Sequence, residues 1–370
     1  MNVYWGDLHV HSSLSDGRRS PGECFESART EAGLDFCAIT DYVDHVPRSR
    51  NGLLDDEAWA EIQAAVREAA EPGAFVTLLG LERTIPSWDG RSPGSLCVYY
   101  RKDAAPLLKL RHPQRDWLRP GAIRPADDMH QLWAELAETE CLKCIVHGCS
   151  SRQGYTWTAA PAQYAMDLVE VYSKWGACES AANVFPVIDG SGQPPRPGGS
   201  AQDALAAGHR VAFVGGSSTH FGFPGATLWE NDWASAARYD KSGLTAVFVD
   251  ELTRDAVFDA LKSRRCYATT GERIRLSFTI NGQPMGSVLP AGERLRIHVE
   301  ATGTAPIKRA EVFRNGVLAH HKIGGRDEFE MTFDDPAPAG PTWYYARVTQ
   351  SGEDIAWSSP IWIETAGGTP

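Results

Sequence analysis

The sequence has no apolar run approaching the roughly 18 residues that a membrane span needs, and its opening, MNVYWGDLHVHSS, shows no basic stretch followed by an apolar one. A cytoplasmic protein that does not engage a membrane is therefore expected. Basic residues are in the minority too: 36 Lys and Arg face 47 Asp and Glu, a formal net charge of −11. Proteins that grip nucleic acid present a basic surface that displaces counterions, so nucleic acid is not expected as a partner. There is no internal repeat and no low-complexity tract. With 42% hydrophobic and 22% charged residues, the chain reads as a globular protein with a real core. Its eight cysteines are too scattered for a disulfide scaffold, and Cys141-Leu-Lys-Cys144 has no second pair at metal-finger spacing. Reduced, buried thiols are expected.

What the sequence does contain is an alternation of short apolar segments and helical patterns over residues 1–265. Strands are expected at 3–9, 35–41, 75–82, 96–100, 142–147, 168–172, 211–215 and 244–249, and helices at 21–32, 56–70, 126–139, 201–207 and 254–263. Such repeated βα units imply an α/β fold with a largely parallel sheet closed into a barrel. Near residue 274 the helical period stops. Strand-like runs separated by turn signals such as Asn281-Gly282 and Asn315-Gly316 follow, the pattern of a β-sandwich. The expected division is a barrel at 1–275 and an all-β sandwich-like module at 276–370.

Metal-type ligands collect where these strands end. His9 and His11 close the first, Asp41 the second, Glu82 the third, His147 the fifth and Glu170 the sixth, and His220 follows the seventh. In a βα barrel all C-terminal strand ends share one rim, so these side chains would converge. His9 and His11 are spaced by two and face the same side of a strand, where both imidazoles can reach one cation. Asp16 lies on the turn just beyond. A carboxylate such as Glu82 behind an apolar strand needs a cation or strong donors, Arg83 being the alternative partner. Glu170 could orient a ligand or serve acid–base chemistry, or pair instead with Lys174 or Arg152. His45 belongs to the same mouth, whereas His112, His130, His209, His298, His320 and His321 read as surface or packing residues. Trp88, Trp157, Trp175, Trp229 and Trp233 fall in expected loops and could wall a pocket.

The motifs Gly6-Asp7-Leu8-His9-Val10-His11-Ser12, Ser15-Asp16-Gly17, Thr40-Asp41, Gly80-Leu81-Glu82 and Gly216-Ser217-Ser218-Thr219-His220 resemble the metal-binding motifs of the polymerase-and-histidinol-phosphatase (PHP) superfamily. Segments 265–271 and 356–362 resemble a bacterial branch of it named only as a domain of unknown function. The resemblance implies a distorted βα barrel holding up to three cations such as Mn²⁺, Zn²⁺ or Fe²⁺. It assigns His9, His11 and Glu82 to a first metal, His147 to a second, and Asp16 and His220 to a third. Three positions depart from the family pattern by carrying a hydroxyl in place of a strong ligand: Tyr42, Ser95 and Ser218. Neutral hydroxyls bind such cations poorly, so one or two ions are expected.

The expected function is hydrolysis of a small-molecule substrate by a metal-activated water, with phosphoesters ranked before carbamate or carboxylic esters and glycosides. Asp41, Tyr42, Glu170 and Ser218 are the expected catalytic residues around the metals. The alternative is a barrel that has lost catalytic metals and binds a ligand or a partner.

Overall fold

Among the described residues ten strands precede residue 275: β1 (Asn2–Asp7), β2 (Phe36–Ile39), β3 (Val76–Ile85), β4 (Gly94–Tyr100), β5 (Cys141–Val146), β6 (Leu168–Ser173), β7 (Gly176–Ala177), β8 (Ala212–Gly215), β9 (Leu244–Val249) and β10 (Cys266–Thr269). Among the described residues five α-helices lie between them, α1 (Pro21–Thr30), α2 (Asp56–Glu68), α3 (Pro125–Leu136), α4 (Ala201–Ala206) and α5 (Arg254–Lys262), with a 3-10 turn at Trp157–Ala159. The structure is a computed structural model that describes residues 1–364 except 48, 87–93, 109–124, 162, 190, 226–240, 293, 337 and 339, with backbone alone at 125–127. His112, Trp88, Trp229 and Trp233 lie outside the described residues.

Local chemistry explains the helix starts. Ser20 and Ser200 form capping boxes with Glu23 and Asp203, and Asp55 and Thr253 cap α2 and α5 through their side chains. β2, β3, β4 and β6 are buried at every position, as strands covered on both faces must be.

The sheet is mixed, which corrects the expectation of a largely parallel one. β1/β2, β2/β3, β5/β6 and β6/β8 run parallel, but β4 is antiparallel to both β3 and β5. The cause is the connection: only residues 86–93 separate β3 from β4, too few for the crossover that parallel neighbours require. β9 is antiparallel to β1, and β10 to β9. Beyond β8 the chain returns to β1: the Ser218 N–H donates to the His9 carbonyl at 2.8 Å and the His11 N–H to the Thr219 carbonyl at 2.9 Å. Behind this bridge the Thr245 hydroxyl of β9 bonds both backbone groups of Gly215 in β8.

The remaining strands are β11 (Arg275–Ile280), β12 (Gln283–Pro284), β13 (Val288–Pro290), β14 (Arg294–Thr302), β15 (Ile307–Arg314), β16 (Val317–Ile323), β17 (Glu328–Pro336), β18 (Thr342–Gln350), β19 (Ile355–Ser358) and β20 (Ile361–Glu364). No helix occurs among the described residues after 275. β12, β11, β14 and β17 form a four-stranded sheet. The others join the large sheet, because β19 pairs with β10 and so continues the strands of the first region. Leu276, Phe278, Ile297 and Val299 of the small sheet share one core with Val312, Ala346 and Val348 of the large one. Asn281-Gly282 and Asn315-Gly316 take positive φ at both residues, as tight hairpins demand. No helix among the described residues is long and apolar enough to cross a membrane. All eight cysteines are free, and all but the half-buried Cys141 are buried.

Candidate metal centre

Asp7, His9 and His11 alternate from the end of β1 onward, so the strand period carries all three to one side. Asp7 is fully buried and accepts backbone N–H bonds from His9 (3.0 Å), Ser217 (2.9 Å) and Gly225 (2.8 Å). Burial raises its pKa, against the pull of these donors. Asp7 thereby staples the segment after β8 to the histidine-bearing segment after β1. The two approach so closely that a Cβ on Gly216 would stand 2.6 Å from the His9 Cβ, and only glycine fits.

Three groups of potential ligands share members: His9, His11 and Glu82; His9, His147 and Glu170; and His11, Asp16 and His220, the ligand atoms of each lying within 4.8 Å of one another. His9 is common to the first two. Its Nε2 lies 2.9 Å from Glu82 Oε2 and its Nδ1 2.6 Å from Glu170 Oε2. His11 Nε2 is 3.3 Å from the same Glu82 oxygen, and His147 Nδ1 is 3.3 Å from Glu170 Oε1. In the third group, Asp16 Oδ1 lies 3.0 Å from His220 Nδ1 and 3.8 Å from His11 Nδ1. The rings stack: His11 lies flat on His220 at 4.2 Å and on Tyr42 at 4.6 Å.

Two placements correct the strand-end picture. Glu82 sits inside β3, which continues to Ile85, and Glu170 sits inside β6. Their reach toward His9 comes from the inward parity of each strand. Arg83 turns away from Glu82 and forms a bidentate pair with Asp128 at 2.6 and 2.7 Å, and Glu170 pairs with His9 and His147.

Buried imidazoles and carboxylates lie in close pairs throughout this cluster. With carboxylates at both ring nitrogens, His9 is satisfied only as an imidazolium, which donates twice. Burial alone would lower its pKa, but Glu170 and Glu82 outweigh that and lift it to about 10. Burial would raise Glu82, yet His9 and His11 hold it well below the carboxylate range. His11 and His147 are pushed down by burial, with His220 adding to the effect at His11. Asp16, despite burial, is drawn to about 2 by His220 and His11. Both His11 ring nitrogens and Glu82 Oε1 are buried without a hydrogen bond. Leaving such an atom unpaired costs roughly 1–3 kcal/mol, a cost that a cation held by Glu82 and one His11 nitrogen would lower.

Asp41 is brought to the cluster but belongs to none of the three groups. Its oxygens accept the Ser12 N–H, the Ser12 hydroxyl and the Ser15 hydroxyl at 2.5–2.6 Å, which folds the turn carrying Asp16. Tyr42 is buried, its phenol pushed far above its ordinary range by burial. His45 meets the Tyr42 ring edge-on at 5.5 Å. Ser218 accepts the Trp175 indole N–H at 3.1 Å. Ser95, on β4 opposite Thr84, is buried and its hydroxyl has no hydrogen bond among the described residues. Sequence reasoning missed the structural part of Asp7, although its spacing by two from His9 was a usable signal. It also missed Asp44, which is buried beneath the rim, accepts the Thr84 N–H at 2.9 Å and is pushed by burial to about 7. No local pattern marks that residue.

A family model described as a protein of unknown function, DUF3604, matches residues 218–286. An uncharacterized protein of Chlamydia pneumoniae is 27% identical over 384 residues, covering 98% of this chain and 57% of that protein. One of Chlamydia muridarum is 29% identical over 386 residues, covering 98% and 58%. The chain thus spans little more than half the length of the curated relatives it matches. Among solved structures, a two-domain protein containing a predicted PHP-like metal-dependent phosphoesterase from Bacteroides vulgatus is similar over 97% of this chain and 95% of its own, with a TM-score of 0.50 and 14% identity. At that identity the similarity concerns the fold.

Proposed function

We propose that this chain is a metal-dependent hydrolase of the PHP superfamily, a distorted β/α barrel at 1–275 with a sandwich-like module at 276–370. The observation that supports the reading is that His11, its ring nitrogens without a hydrogen bond among the described residues, is buried between Glu82 and Asp16, with Glu82 Oε1 beside it likewise without one. Nitrogen and carboxylate donors suit Mn²⁺, Zn²⁺ or Fe²⁺. His9, His11 and Glu82 would hold one ion and His147 a second, with Asp16 and His220 as further ligands. When bound, such an ion lowers the pKa of water and stabilises charge on a phosphoryl or acyl oxygen.

The protein's own part is orientation. Glu170 accepts from His9 Nδ1 and so directs Nε2 toward Glu82, the role a carboxylate behind a ligating histidine plays. Asp7 fixes the backbone of His9, and Asp41 fixes the turn that carries Asp16. The substrate is a small molecule, a phosphoester before a carbamate or carboxylic ester. The test is a screen of phosphate, carbamate and glycoside chromogens with Mn²⁺, Zn²⁺ and Fe²⁺; metal-dependent release from a phosphate ester is expected. A second reading, a binding protein on the same fold, is favoured by Tyr42, which covers His11 with a ring instead of offering a ligand. No metal retained after dialysis, and no turnover of any ester, would select it.

A further inference from the structure

Six non-glycine residues have positive φ among the described residues, and two of them, His147 and Ser218, both at 53°, stand in the metal centre. A left-handed backbone costs a side-chain-bearing residue on the order of 1–3 kcal/mol, so the surroundings must hold it there. Trp175, two residues beyond the end of β6, touches both. Its indole N–H donates to Ser218 Oγ at 3.1 Å, and its ring meets the His147 ring edge-on at 6.4 Å.

This contact determines what Ser218 can do. Its backbone N–H is committed to the His9 carbonyl, and its hydroxyl oxygen already accepts from the indole. A hydroxyl has one proton, and no acceptor among the described residues takes it. The bridge holds the Ser218 backbone against that of His9, and Trp175, which touches the Ser218 hydroxyl, also meets the His147 ring.

We propose that Trp175 is a positioning residue that fixes Ser218 as a hydrogen-bond donor to a substrate oxygen gaining negative charge next to the metal centre. The inference rests on the hydrolase reading and narrows it. A neutral donor at this place favours phosphoryl or acyl centres, whose transition states place charge on such an oxygen. It does nothing for a glycoside, whose transition state is cationic at the sugar ring.

The test is a double-mutant cycle in Mn²⁺-loaded protein, with inorganic phosphate as the probe by calorimetry. Trp175→Phe keeps the ring and removes the N–H; Ser218→Ala removes the donor. Each should weaken phosphate binding about tenfold, the value of one hydrogen bond to a charged group, and the double variant should be no weaker than Ser218→Ala. Manganese content should be equal in all four proteins. In parallel, the Trp175 indole proton, identified by its absence in Trp175→Phe, should exchange with solvent faster in Ser218→Ala. Effects that multiply, loss of manganese in Trp175→Phe, or an indole proton indifferent to Ser218 each overturn the proposal alone. Metal-loaded wild type that binds no phosphate and cleaves no ester overturns it together with the hydrolase reading.

Discussion

Two of the buried charge clusters among the described residues are built differently. Where β18 meets the first region, Glu179 accepts the Tyr345 hydroxyl at 2.6 Å and an Arg347 N–H at 2.8 Å, and Arg347 also binds Glu311 at 3.0 Å. Both Glu179 oxygens are satisfied within the chain. In the rim cluster His11 and Glu82 are no less buried, yet keep atoms without a hydrogen bond among the described residues. Buried charge that closes on itself fastens elements together; buried charge left open is arranged for something that arrives from outside.

The sharpest way to break this comparison is to remove one charged group from each cluster. Glu82→Gln keeps the shape and removes the charge, so metal affinity should fall by about 100-fold or more, beyond what losing an orienting group costs, and activity should fall with it. The fold should persist, as followed by circular dichroism. Arg347→Met should do the reverse. It strands Glu179 without a cation and leaves Glu311 with Arg309 alone, and breaking a buried pair costs about 3–5 kcal/mol, read as a lower denaturation midpoint with metal content unchanged. If Arg347→Met empties the metal site and leaves stability alone, the distinction between the clusters is wrong.

A smaller effect concerns protons. Without metal, His9 carries a pKa of about 10 and is protonated at neutral pH; as a metal ligand it must be neutral. Binding should therefore release about one proton per protein at pH 7 from this residue, measured by calorimetry in buffers of different ionisation enthalpy. The sign also fixes stability. A raised histidine pKa stabilises the metal-free fold fully below the ordinary value near 6.5, and this contribution disappears as pH rises through about 10. Release of no proton would mean that His9 is already neutral.

The smallest expected effect is at Asp44. Its pKa is raised from 3.8 to about 7, chiefly by burial, so its ionisation opposes folding. Stability lost to this group grows between about pH 4 and 7 and is complete above. Asp44→Asn keeps an oxygen for the Thr84 N–H and should raise the melting temperature by roughly 2–4 °C at pH 8.5, with no gain at pH 4. Equal melting at both pH values would show that Asp44 is not a strained acid.

Much of the rim cluster was legible because ligand chemistry and strand period act over a few residues. His9 and His11, two apart, and Glu82 and His147, each behind an apolar run, announce themselves in this way. The direction of β4 was not legible, since strand propensity carries no sense of direction and the information lies in the shortness of the link to β3. β16, exposed along its whole length, lacks the alternation that marks a half-buried strand. The joining of β10 to β19 escaped for another reason. It pairs segments some 90 residues apart, Tyr267 with Ser358, and no local pattern encodes such a partnership. Asp44 and the Glu179–Arg347 pair were hidden likewise, because only the folded chain defines which charges are buried together.

The account depends most directly on whether the rim cluster binds a cation through Glu82. Protein loaded with Mn²⁺, Zn²⁺ or Fe²⁺ and dialysed into metal-free buffer should be analysed for metal as wild type and as Glu82→Gln. About one or two equivalents in the wild type and a large loss in the variant are the predicted result, in line with a site made of two histidines and one carboxylate. A wild type that retains no metal, or a variant that retains as much as the wild type, would contradict it.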